Sequence, residues 1–221
     1  MRRALRAQLL AWAGVCGLTL AASAWAASFD CQRAKTPNER AVCADAALSA
    51  LDERMASDYQ SALTRAGPRK SAVAAWQRDW LMAGDISSCN GDQPCLQRAY
   101  TGRQALLARV APASAPEAVW TGRWRKPANG ARTPGDSDDE LLLVGLSGGE
   151  IAVSGAASWV GGDTANSGEM RGIARVVDGQ AHFDGGGCTA MWRLRSAQLE
   201  VTQESGCGGL NVSFQGVYRR R

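Results

Sequence analysis

The chain has 221 residues, with 25 basic and 21 acidic side chains and a formal net charge of +4. Three of the arginines (Arg2, Arg3 and Arg6) stand at the extreme N-terminus, and without them the balance is +1. Residues 27–113 carry 11 basic and 9 acidic groups and residues 114–221 carry 11 and 12, so neither part has the cationic excess that neutralising a phosphate backbone requires. No nucleic-acid partner is expected.

Residues 1–26 read as a cleavable signal peptide. The arginines form a basic opening, Leu9 to Ala22 is apolar, and Ala24-Trp25-Ala26 is a small-residue cleavage site. The apolar run is too short for a stable span, so no integral membrane span is expected in the processed chain. Cys16 follows Ala13-Gly14-Val15, which lacks the leucine of a lipoprotein box, and is read as part of the apolar run. The expected location is periplasmic or secreted.

Six further cysteines follow: Cys31, Cys43, Cys89, Cys95, Cys188 and Cys207. An even number in an exported chain reads as a disulfide framework, which removes them from catalysis and metal binding. Proximity favours Cys31 with Cys43, Cys89 with Cys95 and Cys188 with Cys207. In the first four, the crossed set of Cys31 with Cys95 and Cys43 with Cys89 stays open.

Residues 27–110 read as a helical domain. Thr36-Pro37-Asn38-Glu39 is a capping box with proline at the first helical position, and the helix should run to about Ala44. Asp45 caps a second helix with Leu48, Leu51, Met55, Tyr59 and Leu63 on one stripe, ended by Gly67-Pro68. Val73, Trp76, Trp80 and Leu81 mark a third helix. Asn90-Gly91-Asp92 is a turn whose aspartate caps a fourth, marked by Leu96, Tyr100, Arg103 and Leu107. Residues 111–117 form a Pro/Ala linker, expected to be extended.

Residues 118–221 hold 19 of the 25 glycines in the chain and alternate apolar with polar residues, a strand pattern. The expected strands are Val119–Arg125, Leu141–Leu146, Ile151–Val160, Met170–Val177, Gln180–Phe183, Thr189–Arg195, Gln198–Gln203 and Leu210–Tyr218. Asp178-Gly179 is the strongest hairpin signal. A hairpin at Ser196-Ala197 needs a bulge at Gly206 or Gly208 to bring Cys207 to Cys188. The first and last strands are expected to pair and close the sheet. The fold class is thus α+β in two domains: a disulfide-stapled helical bundle, then an antiparallel β-barrel of about eight strands.

Candidates for chemistry are few. His182 is the only histidine and no nucleophile elbow accompanies it, so it reads as a strand residue. One histidine and bridged cysteines leave no metal set. Asp136, Asp138, Asp139 and Glu140, like Arg219-Arg220-Arg221, read as solvated faces, and the neighbouring Asp138 and Asp139 as a turn rather than a glycosidase pair. Trp76 and Trp80 read as core, as do Trp120, Trp124, Trp159 and Trp192. Arg78 is expected to pair with Asp52 across helices. No catalytic, cofactor-binding or metal-binding residue is assigned, and no binding residue is named.

Residues 28–108 carry, in order, Ser28-Phe29-Asp30-Cys31, Thr36, Glu39, Cys43, Leu48, Leu51-Asp52, Tyr59, Gln77-Arg78, Trp80-Leu81, Cys89, Cys95-Leu96, Tyr100 and Arg103. In these positions the segment resembles the LprI-like lysozyme inhibitor family. Met82-Ala83-Gly84 and Ser87-Ser88 depart from the charged run common before the third cysteine of the family. The resemblance implies a non-enzymatic envelope protein without cofactor, whose partner is a protein, lysozyme. The alternative is a sensor that binds a small ligand or cell-wall fragment through the barrel tryptophans.

Overall fold

The computed structural model describes residues 27–83, 86–126, 139–161 and 163–221. The expected signal peptide with Cys16 lies outside them, as do Gly84, Asp136 and Asp138. The fold is α+β: disulfide-stapled helices followed by a closed antiparallel barrel.

Helix α1 (Pro37–Ala44) opens on the expected capping box. Thr36 Oγ1 accepts from the Glu39 amide at 3.1 Å, and the Glu39 carboxylate accepts from the Thr36 amide at 2.8 Å. The Thr36 and Lys35 amides donating to it hold that carboxyl below its ordinary pKa. Asp45 caps α2 (Ala46–Ala66) through the Leu48 amide at 2.8 Å. Gly67 ends it at φ 55°, a conformation that strains any residue with a Cβ. Helix α3 spans Lys70–Ala83, and α4 (Gln93–Ala108) is capped by Asp92.

The stripes of α2 and α4 face inward as expected: Leu48, Leu51, Met55, Leu96, Tyr100, Arg103 and Leu107 are buried, and Tyr59 and Leu63 are partly so. Leu81 departs from the expected α3 stripe and is 48% exposed. Trp76 and Trp80, four apart, hold the buried line of α3. One residue further turns the side chain about 100° away from it.

The barrel comprises β1 (Gly122–Arg125), β2 (Glu140–Leu146), β3 (Glu150–Gly161), β4 (Thr164–Val177), β5 (Gln180–Gly185), β6 (Cys188–Arg195), β7 (Gln198–Ser205) and β8 (Gly216–Arg220). Each strand pairs with the next, and β8 closes on β1 with Trp124 opposite Arg220, the closure expected from sequence. Asp178 and Gly179 turn β4 into β5 with φ of 50° and 75°, the conformation a tight hairpin needs.

Two expected strand ends fail. Pro116–Trp120 is a 3-10 helix rather than the start of β1. Proline presets the φ of a helical first turn, and the short helix packs on β2. Gly145 lies so close beneath it that a Cβ there would collide with the Glu117 carbonyl oxygen. Residues 210–215 lie outside β8, and Asn211 has φ 66°, which breaks an extended run.

Among the described residues three disulfides join Cys31 to Cys43, Cys89 to Cys95 and Cys188 to Cys207. Between β6 and β7, Thr189 faces Ser205 but Met191 faces Thr202, a one-residue slip with Gln203 at φ 51°. That bulge, earlier than the glycines expected to provide it, helps carry Cys207 to Cys188.

Two cores result. One fills the barrel with Trp124, Leu141, Leu143, Ile151, Met170, Phe183, Trp192, Leu199 and Tyr218. The other lies among the helices and includes Leu142, Val144, Leu146 and Ala152 from the outer face of β2 and β3. Strand β2 is therefore buried on both faces. Residues 110–113 are not a free tether: the Ala111 amide donates to the Gly145 carbonyl and the Ala113 amide to that of Arg65, both at 2.9 Å.

Candidate functional site

A cavity of the helical half has a volume of 590 Å³. Phe29, Val42, Met55, Leu81, Ile86 and Tyr100 supply apolar wall, and Asp52 supplies a carboxylate. Asp52 is 3% exposed and comes from the inward stripe of α2, one residue after Leu51. Its Oδ1 accepts from the Tyr100 hydroxyl at 3.0 Å and its Oδ2 from the Ser28 amide at 2.6 Å. Burial, and then the Asp52 charge, raises the Tyr100 phenol above its ordinary pKa. The Tyr100 ring meets Trp80 edge-on at 5.9 Å.

The cavity rim is fastened across sequence. Asn38 on α1 donates to the Ile86 carbonyl and accepts from the Gly91 amide, both at 2.7 Å. Beside it, Leu81 and Met82 at the end of α3 are 48% and 80% exposed.

A second site lies where the helices meet the barrel. Arg103 on α4 is 3% exposed, and its guanidinium lies 3.6 Å from the centre of the Trp76 ring. Its Nε donates to Gln77 Oε1 at 2.7 Å, while Gln77 Nε2 contacts Met55 Sδ at 3.0 Å. Burial pushes the Arg103 pKa down to about 9, partly offset by Asp79 and Tyr59, which leaves it charged at neutral pH.

The expected pairing of Arg78 with Asp52 does not occur. Arg78 is exposed on α3, and Tyr100 and Ser28 occupy Asp52. Arg103 is buried on the inward stripe of α4 as its position in sequence implies, but its bond to Gln77 was not expected. The acidic cluster also departs from a solvated face. Asp139 is fully buried and bonds Lys126 at 2.9 Å, and Glu140 pairs with Arg123 at 3.4 Å. Arg220 is no free tail: it lies 4.2 Å from the Trp124 ring centre and donates to the Thr121 and Val119 carbonyls.

His182 is exposed on β5, and Asp184 is exposed two residues on. Among the described residues no group of three or more His, Cys, Asp or Glu could hold a metal ion. None of the described helices is long and apolar enough to cross a membrane. Trp120, Trp124 and Trp192 are buried in the barrel core, and Trp159 is half-buried.

Comparison with known proteins places these observations. The chain is 36% identical over 126 residues to curated relatives named lipoprotein LprI, one from Mycobacterium bovis and two from strains of Mycobacterium tuberculosis. The match covers 51% of this chain and 63% of each relative, so it spans less than two thirds of their length. No family profile matches the chain, and no solved structure matches it. Over the aligned half, this chain is LprI-like, in accord with the resemblance carried by its cysteine, tryptophan and tyrosine positions.

Proposed function

We propose that the chain is an exported, non-enzymatic binding protein that inhibits lysozyme by covering its cleft. The observation that carries this reading is the LprI-like match over half the chain. In this reading residues 1–26 are removed on export, residues 27–110 form the helical unit, 111–117 join the units, and 118–221 form the barrel. Disulfide bonds accord with an oxidising compartment.

A lysozyme cleft works through two carboxyl groups, so a body lodged across it needs only to exclude substrate. The docking face that suits this is the end of α3, with Leu81 and Met82 as apolar anchors. A ligand held inside the barrel is the weaker reading, because Trp124, Trp192, Phe214 and Tyr218 already fill it.

Clearing of a cell-wall suspension by lysozyme tests the proposal. Excess processed protein should slow clearing, and Met82→Lys should weaken the effect by about tenfold, the loss of one apolar anchor. Undiminished clearing at large molar excess of folded protein would overturn it.

A further inference from the structure

A cavity of 170 Å³ lies where α3 and α4 meet β3 and β4 of the barrel. Trp76, Trp80, Leu106 and Ile173 give it apolar walls, and Arg103 and Arg171 are its charged lining residues. Among the described residues no acidic side chain lines it.

Arg103 is the unusual member. It is almost wholly buried, its Nε is spent on Gln77, and its buried Nη2 has no hydrogen-bond partner among the described residues. A buried guanidinium with an unmade bond is costly unless an anion completes it. Within the protein, the carboxylate whose charge it feels is that of Asp79, and Asp79 Oδ2 accepts from the Ser154 hydroxyl at 3.1 Å. Arg171, opposite Ser154 in the sheet, is exposed and makes no ion pair among the described residues.

We propose that this cavity binds a small monocarboxylate with a compact apolar body, held by Arg103 and Arg171. The planar guanidinium fork matches a carboxylate better than it matches a point charge. The tryptophan, leucine and isoleucine walls suit an apolar body, and they penalise a multiply charged oxyanion, which would lose its hydration there. The volume is below the roughly 300 Å³ at which drug-sized pockets begin, so the occupant is small. Because helices wall one side and strands the other, the ligand would tie the two halves together. This site is distinct from the end of α3 and goes beyond lysozyme binding.

The test is titration of the processed chain with benzoate, followed by calorimetry and by tryptophan fluorescence, since Trp76 stacks on Arg103. Benzamide serves as the uncharged counterpart and sulfate as an anion without an apolar body. Benzoate should bind saturably and at least about tenfold more tightly than either, the margin expected of a charge-assisted bond. Arg171→Gln should weaken benzoate several-fold with an unchanged unfolding midpoint, and Arg103→Lys should weaken it further. If Arg103→Lys does not fold, Arg171→Gln alone decides. Absence of benzoate binding, equal binding of benzamide, tighter binding of sulfate, or an Arg171→Gln titration identical to wild type would each overturn the proposal.

Discussion

The helices and the barrel bury their interiors differently. Among the helices the core is threaded with polar groups: Asp52 takes bonds from Tyr100 and Ser28, and Gln77 links Met55 to Arg103. The barrel interior is aliphatic and aromatic, from Leu141 and Leu143 to Trp192 and Leu199. Its buried carboxylate, Asp139, is paired with Lys126 just before β2 begins. An apolar core is stabilised by area and shape, whereas a polar one depends on every partner being present. The barrel should therefore answer to volume and the helices to hydrogen-bond chemistry.

Four perturbations break or sharpen that contrast. The largest effect belongs to Trp192→Ala, which empties a fully buried site stacked on Phe183. It should cost about 3–5 kcal/mol in urea unfolding, by lost transfer and a residual cavity. Trp192→Phe should cost far less, because the indole N–H has no partner to lose. Equal losses for the two would refute a volume-controlled barrel.

Asp52→Ala comes next. It strands the Tyr100 hydroxyl and the Ser28 amide and should cost about 1–3 kcal/mol. Pairing it with Tyr100→Phe should recover part of the loss in a double-mutant cycle, whereas simple additivity would deny the network. Thr36→Ala removes the α1 cap and should cost about 1 kcal/mol, read as a small drop in midpoint.

The smallest effect is a pH dependence shared by both halves. Burial raises the phenol pKa of Tyr100 and of Tyr218, with further contributions from Asp52 in the first and from Asp139 and Glu204 in the second. The unfolded phenols lose their protons near pH 10 while the folded ones keep theirs. Their contribution is therefore complete below pH 10 and falls as pH rises above it. Unfolding midpoints at pH 8 and pH 11 measure the fall, and Tyr218→Phe should reduce it. A flat profile across that range would contradict the assignment.

Much of the helical half was legible because helix ends are written locally. Thr36 with Glu39, Asp45 and Asp92 each cap through atoms three residues away, and Gly67 stops α2 by its own backbone freedom. The hairpin at Asp178-Gly179 was legible for the same reason. The candidate sites were not. Asp52 precedes Tyr100 by 48 positions, and Arg103 follows Gln77 by 26, separations that no short pattern encodes. One signal was available and unused: the unbroken apolar run Leu141-Leu142-Leu143-Val144 marks a strand covered on both faces.

By itself the sequence determined the alternation of helix and strand, where most elements begin, and the closure of the last strand on the first. The elements follow from side-chain period, capping chemistry and turn residues, all of which act over a few positions, whereas the closure rested on the likeness of the two end segments. Tertiary structure alone decided that the helices lie against the outside of β2, that Asp52 bonds Tyr100 and Ser28 rather than Arg78, and that Asp139 and Arg220 are engaged rather than solvated. A side chain's partner is set by which surfaces meet in space, and that is a property of the packed whole.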